Sequence, residues 1–117
     1  MKYVDAKELA IAEDEAAAAD DNITIEFKKP VLYNGNTYTS LTFNFESLTG
    51  ADGLEIENEL MAMGRVAIVP AVSGEYLVRM AARACTEQIG SDIFQSMSLH
   101  DYNSVRSAAR SFLMKSE

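Results

Sequence analysis

The sequence predicts a small α+β fold, in which an N-terminal β-hairpin or small antiparallel sheet packs against three to four α-helices. Between residues 23 and 45, apolar and polar residues alternate on both sides of an Asn-Gly pair, which is the pattern of a hairpin. Beyond residue 48 the apolar spacing becomes helical, and serine or threonine precedes three of the four predicted helices. A chain of 117 residues is expected to form one domain.

An acidic lead, residues 1–22, precedes the predicted domain at residues 23–117. Residues 5–21 are rich in alanine and glutamate, which favour helices. Their apolar residues form only a weak stripe, and an isolated helix of this length is marginal in water. Two states therefore stay open for the lead, a frayed helix and a disordered segment.

The predicted hairpin covers residues 23–45 and turns at Asn34-Gly35, the strongest short hairpin signal. Its return strand places three apolar residues on one face: Leu41, Phe43 and Phe45. Because an isolated hairpin is barely stable, we expect helices to cover this face.

The register of the hairpin requires an irregularity. A two-residue Asn34-Gly35 loop would pair Phe27 with Thr42 and put the apolar residues of the two strands on opposite faces. One extra residue repairs this, either in a three-residue loop or in a bulge near Pro30, which has no N–H for the ladder. The expected pairs are then Phe27 with Phe43 and Ile25 with Phe45.

The first helix is predicted at residues 50–63. Thr49 is a good N-cap, and Asp52 three residues later gives a short version of the capping box. Gly64 fits the position after the helix end. The apolar segment at residues 66–72 is expected to form a short strand or an extended segment on the core.

Three further helices follow from capping residues and apolar spacing. Ser73 caps the second helix, which Gly90 ends, and Ser98 with Asp101 forms another capping-box pattern before the last helix. The predicted ranges are residues 74–89, 91–96 and 99–114.

The net charge of −8 is concentrated in the first half of the chain. Residues 1–59 hold thirteen acids and four bases, whereas residues 60–117 hold five acids and six bases. An acidic front half repels nucleic acid and anionic lipid, so we expect neither as a partner. No apolar run approaches the roughly 20 residues of a membrane span, and a cytosolic protein is the default.

Residues with catalytic or metal-binding chemistry are sparse. Cys85 is the only cysteine and His100 the only histidine, so neither an intrachain disulfide nor a metal-ligand spacing is present. No phosphate-binding glycine motif or nucleophile elbow occurs. We therefore expect no enzymatic activity, no cofactor and no metal, with a small hydrolase or metal enzyme as the least favoured class.

Six methionines are notable in so short a chain. Methionine adapts its shape and is over-used at promiscuous binding surfaces, although filling of the core is the more common role. Several methionines lie near the ends of predicted elements, where a partly exposed patch is expected. The candidate protein-interaction residues are Met61, Met63, Tyr76, Met97, Phe112 and Met114.

The order of these pieces resembles a family of small tail assembly chaperones of bacteriophages and prophages. The family's hairpin motif corresponds to Lys29–Leu41, KPVLYNGNTYTSL, and its turn into an acidic helix corresponds to Leu48–Asp52, LTGAD. A later alanine-rich helix motif is present as Ala81–Ala84. The step into the last helix is Asp101–Val105, and that helix ends in Phe112-Leu113. The resemblance covers about residues 23–113.

This resemblance implies a non-enzymatic assembly factor that binds the phage tape measure protein and keeps it soluble. It also implies recruitment of the tail tube protein, in some members through a frameshifted longer form, and homo-oligomerisation. The expected location is the host bacterial cytoplasm rather than the mature virion. The alternative is a structural tail component or a small protein-binding adaptor.

Overall fold

The computed structural model describes residues 22–115, so the predictions for the lead before Asn22 lie outside the described residues. The described part confirms the α+β fold, with a two-stranded antiparallel sheet before three α-helices. The strands are β1, Asn22–Tyr33, and β2, Asn36–Asn44. The helices are α1, Gly50–Ala62, α2, Gly74–Ala84, and α3, Leu99–Met114. Short 3-10 turns lie at Phe45–Ser47, Pro70–Val72 and Ser91–Gln95, the last within the helix predicted at 91–96.

The turn of the hairpin is a two-residue loop. Tyr33 pairs with Asn36, and both residues between them have positive φ, 49° at Asn34 and 82° at Gly35. Asparagine and glycine tolerate this left-handed geometry, which matches the twist of the strands. The three-residue loop that the sequence left open is therefore absent.

The irregularity lies on β1 instead, next to Pro30. Glu26 pairs with Ser40, but Val31 pairs with Tyr38, so four residues of β1 face a single residue of β2. The bulge thus contains three extra residues rather than the one predicted. An odd number of extra residues restores the alternation of faces, which explains why the larger bulge also satisfies the hydrophobic pattern.

The predicted pairing of Phe27 with Phe43 and of Ile25 with Phe45 is wrong. Those pairs require the extra residue in the loop, whereas the three extra residues lie on β1 and pair each residue before the bulge with an earlier residue of β2. The observed pairs are Ile23 with Phe43 and Ile25 with Leu41.

The core lies between the inner face of the hairpin and the three helices. Phe43 and Phe45 stack with ring centroids 5.8 Å apart, and Phe45 also stacks on Phe112 of α3 at 5.6 Å. Phe94, from the last 3-10 turn, contacts Phe43 from the other side. Fully buried residues from every helix close this core: Ile56, Leu60, Leu77, Ala81, Val105 and Ala109.

Helix α2 ends at Ala84, five residues before the predicted end at residue 89. Cys85 turns to an extended conformation and forms a β-bridge with Phe43. The N–H of Thr86 then donates to the carbonyl of Thr42 at 2.8 Å. The chain leaves the helix because it covers the outer edge of β2, a tertiary contact that helical spacing does not encode.

The segment between α1 and α2 is not a strand; Ala67 packs against the core, whereas Val66, Ile68, Val69 and Val72 are exposed. Helix α1 is closed by Gly64, two residues after its last helical residue, where φ is 76° and the N–H donates to the carbonyl of Met61 at 2.9 Å. The next N–H, of Arg65, reaches back to Leu60 at 2.8 Å, which completes a Schellman ending. From there to Ser73 only Pro70–Val72 forms a regular turn.

Candidate protein-interaction surface

Ion pairs with α2 fix the orientation of α1 on the fold. The guanidinium of Arg83 lies within 2.7–2.9 Å of carboxylate oxygens of Asp52, Glu55 and Glu59, and its side chain is only 26% exposed. Arg79, one turn earlier, contacts Glu59 at 3.5 Å. Together with burial of Ile56 and Leu60, these pairs determine which face of α1 remains in water.

The pKa values in this network favour the charged forms. Burial lowers the pKa of Arg83, but its bonds to Glu59, Glu55 and Asp52 outweigh burial and raise that pKa above its usual range. The backbone N–H of Thr49 and the guanidinium of Arg83 lower the pKa of Asp52. The capping role predicted for Asp52 is present, because its carboxylate accepts the Thr49 N–H at 2.8 Å.

A run of exposed apolar side chains follows from the end of α1 to the start of α2. Six apolar residues within twelve positions are each about half exposed or more, and Ile68 reaches 87%. Scattered exposed apolar residues are ordinary, but a concentration of them marks an interaction surface. We call this surface the connector patch, and it consists of Met61, Met63, Val66, Ile68, Val69 and Val72.

Polar contacts at both ends hold the connector patch on the fold. Arg65 forms a salt bridge with Glu75 at the start of α2. The guanidinium of Arg79 lies 3.5 Å from the sulfur of Met63. At the other end, Arg106 of α3 donates to the carbonyl of Val72 at 3.4 Å. The backbone of the patch is therefore attached to two helices, while its apolar side chains face solvent.

A groove of about 410 Å³ adjoins this segment. Arg65 and Glu75 lie on its rim, and Val78 and Phe94 contribute apolar wall. Leu99, at the start of α3, also lines the groove and is 71% exposed. An apolar side chain from a partner could enter here, next to the connector patch.

The predicted interaction residues divide into three groups by exposure. Met61, Met63 and Met114 are exposed by 62%, 46% and 59%. Phe112 is partly buried and packs on the core. Tyr76 and Met97 are only 7% and 8% exposed and belong to the core, and Met97 also lines the groove beside the connector patch.

The sequence prediction missed the four residues of the connector patch that are not methionines. Val66, Ile68, Val69 and Val72 were expected to be covered because apolar residues usually are. One sequence signal could have indicated their exposure. The seven-residue apolar run at residues 66–72 has neither a helical nor a strand period, and it lies between two well-capped helices.

A buried carboxylate joins α3 to the bulge of β1. Asp101 is 1% exposed and accepts the N–H of Lys28 at 2.9 and 3.1 Å and that of Lys29 at 3.1 Å. Burial alone would raise its pKa, but the two backbone donors and Ser98 lower it below its usual range. Ser98 caps α3 as predicted, by accepting the Asp101 N–H at 3.2 Å, while the Asp101 carboxylate binds β1.

The structure places the single cysteine and the single histidine in different surroundings. The thiol of Cys85 donates to Glu87 at 3.2 Å, and burial together with this carboxylate raises its pKa to about 12. A thiol with so high a pKa is a poor nucleophile at neutral pH. His100 is exposed in the first turn of α3. Within residues 22–115, no cluster of three or more potential ligands could hold a metal ion.

None of the helices in the described part of the chain is long and apolar enough to cross a membrane. Comparison of the sequence and fold with known proteins finds no matching family model, curated protein or solved structure.

Proposed function

We propose that this protein is a non-enzymatic tail assembly chaperone of a bacteriophage or prophage. In this proposal it acts in the host bacterial cytoplasm, binds the tape measure protein and helps to recruit tail tube protein during tail assembly. The protein is not retained in the mature virion. The motif order between Lys29 and Leu113 suggests the family, and the connector patch is the observation that carries the binding role.

The connector patch suits a partner with apolar helical segments. Two of its six residues are methionines, whose flexible side chains adapt to different apolar partners. The adjoining groove offers a recess for an anchoring side chain. The fixed backbone beneath the patch lowers the entropy lost on binding, because the ion pairs and the Arg106 contact already hold it.

The acidic charge supports the same role. With a net charge of −8, the chaperone would confer electrostatic repulsion between complexes and so keep an apolar partner dispersed. A structural tail component or small adaptor is the second candidate, since an exposed apolar surface also suits a permanent interface.

The test is co-expression with the tape measure protein encoded in the same genome. The wild-type chain should raise the soluble fraction of that protein and sediment with it. Val66→Ser combined with Ile68→Ser should abolish both effects, because these residues are 75% and 87% exposed and their loss removes apolar contact rather than core. Leu32→Ser is the matched control, since Leu32 is 70% exposed on the hairpin, and it should retain both effects.

If the wild-type chain changes neither solubility nor sedimentation, the proposal fails. Detection of the chain in purified virions would favour the structural component instead.

A further inference from the structure

The side of α1 that points away from the core carries two large apolar side chains. Ile56 and Leu60 face the core and are buried. Leu54 and Met61, by contrast, are 64% and 62% exposed. Residues seven positions apart lie on nearly the same side of an α-helix, so Leu54 and Met61 form one exposed ridge. Because Met61 also belongs to the connector patch, the ridge extends that patch along α1.

The spacing along this ridge is that of a surface onto which a second helix packs. Leu54, Asn58 and Met61 stand at positions i, i+4 and i+7, which is the spacing of the seam between paired helices. Asn58 is exposed between the two apolar side chains. On its opposite side α1 packs against α2 and the core. Helix α1 therefore presents to water a second side whose spacing suits contact with another helix.

A negative charge flanks this ridge. Glu57 lies three residues after Leu54 and four before Met61, so it is a neighbour of both on the helix surface. It is exposed and forms no salt bridge within residues 22–115. The other acids of α1 each contact an arginine of α2: Asp52, Glu55 and Glu59. Residues 50–84 hold five acids and three bases, so their ion pairs leave a net charge of −2. We call the following residues the outer face of α1: Leu54, Glu57, Asn58 and Met61.

We propose that the outer face of α1 binds an α-helix of the partner that carries lysine or arginine beside its apolar residues. The partner's apolar side chains pack on Leu54 and Met61, and its cation pairs with Glu57. An acidic helix would bring like charges together, which disfavours it. A helix without charge would cover Glu57 and remove part of its hydration without supplying a cation. The inference rests on the proposed function for the identity of the partner, and it names the chemistry of the segment that is bound.

Two helical peptides of equal length test the inference with the full chain. Both carry the same stripe of leucines, which lysines flank in one peptide and glutamates flank in the other. Fluorescence anisotropy should show that the lysine peptide binds roughly tenfold more tightly. Leu54→Ser should weaken binding of the lysine peptide about fivefold, because it removes an apolar contact. Leu32→Ser, at a position 70% exposed on the hairpin, is the matched control and should change binding by less than about twofold.

Charge substitutions separate a specific contact from general attraction to an acidic chain. Glu57→Lys should weaken binding of the lysine peptide about fivefold or more, because it replaces an ion pair with a repulsion. Glu57→Gln, which removes the charge without reversing it, should give an intermediate loss. Glu26→Lys changes the net charge as much as Glu57→Lys but at an exposed acid on β1, and should change binding by less than about twofold. The inference is overturned if the Glu57 and Glu26 variants behave alike, or if the glutamate peptide binds as tightly as the lysine peptide.

Co-expression with the tape measure protein separates this inference from the proposed function. If the wild-type chain and Glu57→Lys keep that protein equally soluble, the inference fails and the proposed function stands. If the wild-type chain leaves that protein insoluble but binds the lysine peptide through Glu57, the proposed function fails and the inference stands for another partner.

Discussion

The bulge of β1 and the connector between α1 and α2 are both irregular segments, but different groups cover them. At the bulge, the N–H groups of Lys28 and Lys29 donate to the buried carboxylate of Asp101. At the connector, the backbone is fixed at both ends while Ile68 and its apolar neighbours remain in water. Irregular backbone with satisfied polar groups serves the fold. Irregular backbone that displays apolar side chains fits the proposed binding role.

Asp101→Ala should have the largest effect on stability and so tests the structural half of this comparison. The substitution leaves two N–H groups of the bulge without their acceptor and removes a charge-assisted interaction. We expect the free energy of unfolding to fall by about 3 kcal/mol. Urea unfolding followed by circular dichroism measures this loss. Asp92→Ala, which removes an exposed acceptor of the Tyr33 hydroxyl, is the control and should cost about 1 kcal/mol or less. Equal losses in the two variants would contradict a special role for the bulge.

Arg83→Ala should have an intermediate effect, because α1 carries the start of the connector patch. The substitution leaves Asp52, Glu55 and Glu59 close together without their shared cation. We expect a loss of about 1–2 kcal/mol in unfolding free energy. Arg110→Ala removes an exposed arginine of α3 and should change stability by less than about 0.5 kcal/mol. A negligible loss in Arg83→Ala would mean that apolar packing alone orients α1.

The pH dependence of stability should distinguish wild type from Asp101→Asn. The folded state lowers the pKa of Asp101, so the ionised carboxylate contributes stability above its unfolded pKa of about 3.9. That contribution is lost as the pH falls through the lower folded pKa. The stability advantage of wild type should therefore be constant near neutral pH and shrink below about pH 4. An advantage that persists unchanged to acid pH would contradict an ionised Asp101 in the fold.

Val66→Ser combined with Ile68→Ser should have the smallest effect on stability, within about 0.5 kcal/mol. Both side chains already face water, so their replacement removes little buried apolar area. Thermal unfolding measures the change. Leu41→Ser, at a fully buried position, is the comparison and shows the loss of unfolding free energy that a core substitution causes. A large loss in the connector variant would place these side chains in the core.

Local signals predicted much of the fold. The helix starts followed from Thr49, Ser73 and Ser98, and the end of α1 followed from Gly64, because capping depends on neighbouring residues. The hairpin turn likewise followed from Asn34-Gly35.

The wrong predictions concern segments whose structure depends on residues distant in the sequence. The size of the β1 bulge depends on Asp101, more than 70 residues later in the chain. Helix α2 ends early because Cys85 and Thr86 join the edge of β2. Local periodicity contains no information about either contact. The bulge predicted from it was therefore too small, and the predicted second helix was too long.

The interaction surface was only partly predictable, because the hydrophobicity of a residue does not determine whether it is buried. Methionines near element ends indicated Met61 and Met63, which are exposed. The same argument selected Met97, which is largely buried at the wall of the groove. The exposed valines and isoleucine of the connector were expected to be covered. Their exposure depends on how α1, α2 and α3 pack, which only the structure provides.

The central claim is that the connector patch, and not the hairpin, contacts the partner. Hydrogen–deuterium exchange of the chain alone and mixed with its proposed partner, the tape measure protein, tests it most directly. The account predicts slower exchange on binding at residues 61–72 and at the start of α3, with unchanged exchange at residues 28–33. Protection confined to the hairpin, with residues 61–72 unchanged, would contradict it.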